Sequence, residues 1–111
     1  MELDITTERN EATCRITVNG EVDVYTSPAL KSRIVEAVDD GCVDLVIDLE
    51  GVGFIDSSGL GVLVSGLRRV KEQNGSMRII CTKEGTLKIF RITGLDKVFP
   101  IFSNSDEAQG F

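Results

Sequence analysis

The chain has 111 residues, 41% of them hydrophobic, and a formal net charge of −6, which suits one domain built on one core. Eighteen acidic residues against twelve basic ones argue against nucleic acid as the main partner, and no apolar run approaches the ~18 residues of a membrane span. Histidine is absent, which removes the Ser-His-Asp relay, histidine metal sites and phosphohistidine chemistry together.

At the start, Met1-Glu2-Leu3-Asp4 lacks the basic region and apolar run of a signal peptide, so a cytoplasmic protein without membrane attachment is expected. Leu3 and Ile5 alternate with polar neighbours, as do Cys14, Ile16 and Val18 with Thr13, Arg15 and Thr17. These are the patterns of two half-buried strands, with Glu8-Arg9-Asn10-Glu11 as the hairpin loop between them. Asn19-Gly20-Glu21 ends the second strand, and a loop carrying Asp23 follows. Ser27-Pro28 reads as a helix start, serine at the N-cap and proline at the first helical position. Leu30, Ile34, Ala37 and Val38 keep helical spacing up to Gly41, a left-handed stop.

Val43 to Leu49 is nearly all apolar apart from Asp44 and Asp48, as a central strand covered on both faces would be. Leu60, Leu63, Val64, Leu67 and Val70 make a second helical stripe that ends at Asn74-Gly75. Met77, Ile79, Ile80 and Cys81 form a short strand. Leu87 and Phe90, with Ile89, indicate a third helix stopped by Thr93-Gly94. In Val98-Phe99-Pro100-Ile101-Phe102 the proline marks an edge or a strand end. Residues 103–111 are short and polar, readable as a short helix or a frayed tail. Strands alternating with helices after an opening hairpin predict an α/β fold over residues 1–111, a mixed, partly parallel sheet with crossover helices packed on it.

Cys14, Cys42 and Cys81 are far apart and odd in number, neither a disulfide framework nor a CxxC metal knuckle. Cys14 and Cys81 lie in apolar runs, so they are expected as small core residues in a reducing compartment.

Chemistry concentrates at Ile55-Asp56-Ser57-Ser58-Gly59-Leu60-Gly61, where the apolar strand has ended and the second helix begins. First-turn N–H groups have no intrahelical partner there, and negative charge is favoured. The two hydroxyls are therefore either helix caps or a phosphate acceptor, and spacing alone leaves both open. On a wheel of about 100° per residue, the side opposite the apolar stripe carries Ser58, Val62, Ser65 and Arg69, with Gly61 beside them. That small-residue face is either a docking surface for a protein or a solvent face with one stray valine. A phosphate on Ser57 would add about 1.5 to 2 negative charges, held by the free N–H groups of the first turn. No GxGxxG or GxxxxGK is present, and no SxxK follows Ser57 or Ser58. Neither a nucleotide loop nor a serine hydrolase is expected, and Asp23, alone in a loop, fits a cap or turn former.

Ile55 to Val62 resembles the phosphorylation motif of bacterial anti-sigma factor antagonists, the stand-alone STAS domains. Gly20-Glu21-Val22-Asp23-Val24-Tyr25-Thr26-Ser27-Pro28 and Phe90-Arg91-Ile92-Thr93-Gly94-Leu95 resemble that family's other two recognisable stretches, in the same order. The resemblance implies a non-enzymatic regulator without a cofactor of its own. Unphosphorylated, it binds an anti-sigma factor that is itself a serine kinase supplying ATP, and the sigma factor is released. Phosphorylation on Ser57 (the resemblance favours it over Ser58) switches it off, and a serine phosphatase restores it. Asp23, Asp56, Ser58 and Gly59 are implied in docking, to which the wheel adds Gly61, Val62 and Ser65. The alternative is a STAS module acting as a scaffold or transport-complex accessory without phosphorylation control. Many relatives carry a further C-terminal amphipathic helix, which the polar tail here does not suggest.

Overall fold

The computed structural model describes residues 2–109. Strands β1 (Asp4–Asn10) and β2 (Thr13–Val22) pair antiparallel. The expected hairpin loop is shorter than Glu8–Glu11: Glu8, Arg9 and Asn10 pair with Arg15, Cys14 and Thr13, and the chain turns at Glu11, whose φ is 58°. An exposed edge strand tolerates charged side chains, so its polar end is invisible to a hydrophobic period.

The rest alternates: α1 (Ser27–Asp39), β3 (Asp44–Ile55), α2 (Ser57–Lys71), β4 (Ser76–Ile80), α3 (Glu84–Thr93), a 3₁₀ turn at Leu95–Lys97, β5 (Ile101–Phe102) and α4 (Ser105–Gln109). The sheet order is β1-β2-β3-β4-β5, with every pair after the first parallel. This is the expected mixed sheet, opening hairpin and crossover helices included. Strand β3 runs past Leu49 through Gly51 and Gly53 to Ile55, because β2 continues to pair with it across two register shifts. Helix α1 starts one residue before the expected Pro28, with Thr26 at its N-cap.

Cys14, Ile16 and Val18 of β2, Leu45, Ile47 and Leu49 of β3, and Met77 and Ile79 of β4 point to one face. There they meet Leu30, Ile34 and Val38 of α1, Leu63 and Val70 of α2, and Phe90 of α3, whose ring stands edge-on to Phe99 at 6.2 Å. On the opposite face, Val46 and Ile80 are covered by Ala108 of α4, with Phe102 alongside. The polar tail is thus a short helix as far as Gln109; Met1, Gly110 and Phe111 lie outside the described residues.

The expectation of isolated cysteines is corrected at one pair. Cys14 and Cys42 are buried with Cα atoms 5.8 Å apart and form a disulfide, while Cys81 is buried and free. Parallel pairing of Thr13 with Asp44 and Cys14 with Leu45 brings the start of β3 beside β2, a juxtaposition that separation along the chain conceals.

Two glycines set how α2 lies on the core. A Cβ at Gly59 would sit 2.6 Å from Val22 Cγ1 and 2.7 Å from Ile55 Cγ1, and one at Gly66 would sit 2.7 Å from Met77 Cε and 3.0 Å from Ile34 Cγ2. Both are buried, whereas a Cβ at Gly61 would meet nothing within 4 Å. Helix propensity favours alanine over glycine by about 0.5–1 kcal/mol, and overpacking costs about 1–3 kcal/mol. Gly61→Ala is therefore expected to raise the melting temperature and Gly59→Ala to lower it. Thermal unfolding of the two variants checks this, and shifts of the same sign would contradict the packing described for α2.

Candidate functional site

Val22 and Ile55 are register partners at the ends of two parallel strands. The segments that follow them therefore leave the sheet side by side at its C-terminal edge, where open α/β sheets place their sites. Asp56 joins them. Its N–H donates to the Val22 carbonyl at 3.1 Å, and its own carbonyl accepts from Leu60 N–H at 3.0 Å. Its extended backbone (φ −108°, ψ −172°) stops the strand and starts α2, and its carboxylate caps the helix by accepting from Ser58 N–H at 2.9 Å and Gly59 N–H at 3.3 Å. The Ser58 hydroxyl donates to the same Oδ1. That hydroxyl chiefly, with the Gly59 and Ser58 amides, holds the carboxyl below its ordinary pKa, while desolvation opposes the shift.

The two serines thereby separate. Ser58 is half-buried with its hydroxyl committed to Asp56, whereas Ser57, the first residue of α2, is exposed. The amides expected to cradle a phosphate are already in part occupied, because Asp56 holds those of Ser58 and Gly59. An anion on Ser57 would stand beside an ionised carboxylate and point to solvent.

Asp23 is built into its loop. Its Oδ1 accepts from the N–H groups of Tyr25 (2.9 Å) and Thr26 (3.0 Å), and its carbonyl accepts from Ser27 N–H (2.8 Å). The buried Thr26 hydroxyl donates to the Glu21 carbonyl at 2.7 Å and accepts from Asp23 N–H at 2.9 Å. This network, an Asx turn of the kind aspartate favours, presents Val24 and Tyr25, which are 61% and 88% exposed. Sequence reasoning attached no function to either; the signal was two large side chains inside a turn-forming loop.

On α2 the exposed residues are Ser57, Gly61, Arg68, Arg69 and Lys71, a line with Ser65 half-buried at its margin. Two expected docking residues sit elsewhere. Gly59 is buried against Val22 and Ile55, and Val62 is half-buried and packs on the core. The cause is the glycine-lined contact: with Gly59 and Gly66 facing inward, the buried stripe is rotated from the apolar one by roughly 50° at ~100° per residue, drawing Val62 toward the core. The structure brings Asp23, Asp56, Ser57, Ser58 and Gly61 to one edge and leaves Gly59 and most of Val62 behind it. Among the described residues no group of histidine, cysteine and carboxylate side chains is arranged to hold a metal ion.

Residues 4–108 match the family model described as the STAS domain, and the chain belongs to that family. It is 35% identical over 106 residues to an anti-sigma-B factor antagonist of Bacillus subtilis, covering 96% of each chain. The crystal structure of an anti-sigma factor antagonist from Mycobacterium paratuberculosis superimposes with a TM-score of 0.88 at 31% identity, covering 97% of this chain and 92% of that one. The fold is also that of the Bacillus cell fate determinant SpoIIAA in its phosphorylated form (TM-score 0.75, 21% identity, 96% and 97% of the two chains covered).

The Asp56 cap has a pH signature. A carboxyl whose pKa is lowered on folding binds its proton more weakly folded than unfolded. Its contribution is complete above the ordinary carboxylate pKa and disappears as the pH falls through the lowered value. Asp56→Ala is expected to melt several degrees lower at neutral pH, with the gap beginning to close below about pH 4. Melting curves of both proteins across that range test this, and a gap independent of pH would show that the charge is not what caps the helix.

Proposed function

We propose that this STAS domain is an anti-sigma factor antagonist, binding an anti-sigma factor through the edge formed by the Asp23–Thr26 loop and the first turns of α2, and controlled by phosphorylation of Ser57. The observation that carries the reading is the division between the two serines: Ser57 is exposed at the head of a helix already capped by Asp56, while Ser58 is tied to that cap. The partner is a serine kinase that brings the ATP, in keeping with a chain that contains no nucleotide loop. A serine phosphatase reverses the modification, and the exchange takes place in the cytoplasm, where sigma factors act. The chain itself is a regulator and not an enzyme.

The control is electrostatic. Docking covers the edge and strips water from it, and Asp23 and Asp56 already stand there. A phosphoryl group on Ser57 adds about 1.5 to 2 negative charges, and burying such a charge without a cation costs several kcal/mol. Each ~1.4 kcal/mol is tenfold in affinity, so one modification is enough to release the partner. The bare line at Gly61 lets the partner's backbone come close, and Val24 and Tyr25 give it apolar area to cover.

Two measurements test the reading. Ser57→Ala is expected to keep its fold and its affinity for the anti-sigma factor and to take no phosphate from it in the presence of ATP, whereas the wild-type protein takes one phosphate and binds about tenfold or more weakly. Stoichiometric phosphorylation of Ser57→Ala, read by intact mass, would move the site elsewhere. Gly61→Arg fills open space on the exposed line without touching the core, and is expected to weaken binding by about tenfold or more with a melting temperature no lower than that of the wild-type protein. Undiminished affinity would remove α2 from the interface.

A further inference from the structure

Cys14 and Cys42 lie far from Ser57 along their elements, Cys14 near the start of β2 and Cys42 in the turn that leads into β3. Hydrogen bonds that owe nothing to sulfur hold that turn in place. The Val43 and Asp44 N–H groups both donate to the Ala12 carbonyl (3.0 and 3.2 Å), Cys42 N–H donates to the Ala37 carbonyl at 2.9 Å, and Arg9 Nη1 donates to the Asp40 carbonyl at 2.7 Å. The Cα separation of 5.8 Å is within the ~4.4–6.8 Å that disulfides span, so the backbone held by these hydrogen bonds accommodates the bond. Both cysteines also line a half-open cavity of about 260 Å³, together with Arg9, Arg33, Glu36 and Asp40. Two cations and two anions at its walls select for neither charge, and the space admits a small thiol reagent.

We infer that Cys14 and Cys42 form a reversible thiol–disulfide exchange site, reached through this cavity, whose oxidised state staples β2 to the turn before β3. The oxidant is a low-molecular-weight disulfide, RSSR. One cysteine attacks it, forming a mixed disulfide and releasing RSH; the other cysteine displaces the second RSH and closes the Cys14–Cys42 bond. Two electrons pass from the protein to RSSR, and the two thiol protons leave on the two RSH molecules. The closed loop spans a sequence separation of 28 and contains the Asp23–Thr26 loop and all of α1. Oxidation constrains the unfolded chain over that segment. Cys81 lies outside the closed loop and is free.

The test is independent of any partner. Protein reduced and then equilibrated with oxidised glutathione is expected to expose one alkylatable cysteine after denaturation, against three when reduced, and to melt on the order of 10 °C higher. In Cys81→Ala the redox difference in melting temperature is retained, and in Cys42→Ala it is lost, each variant being compared with itself so that packing changes cancel. Reduction of the native protein by a small dithiol is expected to accelerate in proportion to reductant concentration. Three alkylatable cysteines after oxidation, a stable glutathione adduct in place of the internal bond, equal melting temperatures, or reduction at a rate independent of the reductant would each overturn the inference.

Discussion

The C-terminal edge of the sheet is organised by Asp56, which uses its backbone N–H, its carbonyl and its carboxylate at once. The N–H ties β3 to β2 through Val22, the carbonyl begins the α2 ladder at Leu60, and the carboxylate closes the first turn over Ser58 and Gly59. Both serines at the head of α2 take their direction from that residue. Ser57 projects because it follows Asp56 on the first turn, and Ser58 is turned in because its hydroxyl is bound. The Asp23 loop lies alongside because Val22 is where the Asp56 amide finds its acceptor. A helix start with unsatisfied amides is weakly defined; here the cap specifies the orientation of two neighbouring hydroxyls in opposite senses.

The same cap alters how a phosphoryl group at this position is to be understood. A helix N-terminus ordinarily attracts anions through its free amides and its dipole. Two of those amides are already spent on a carboxylate, so a phosphoryl group on Ser57 gains little local stabilisation and meets like charge. It is held outward, toward whatever docks, instead of being drawn down into the helix end.

Much of this was legible in the chain, and what was not failed for identifiable reasons. The alternating strands, the apolar run of β3 and the stripe of α2 announce themselves by period. The rotation of α2 was not legible, because a wheel built on apolar residues counts Gly59 and Gly66 as neutral when they form the contact itself. Nor was the Cys14–Cys42 pair, since it arises from parallel pairing of segments that a crossover helix separates. The polar end of β1 was hidden by its place at the edge. Asp23 was readable as a turn former, yet its consequence, the exposure of Val24 and Tyr25, emerges only when the loop's hydrogen bonds are traced.

One consequence of the capped α2 terminus concerns time. Ser57 stands on a first turn that Asp56 has already closed, so the proposed modification would add charge to a surface that is already formed. Order–disorder switches and domain closures relax over microseconds to seconds. A switch made of charge on a standing surface has no such lag and retains no memory of its previous state. Under the proposed phosphorylation of Ser57, the response would follow the turnover of the enzymes that add and remove the charge, and the pace of the control would be set outside this chain.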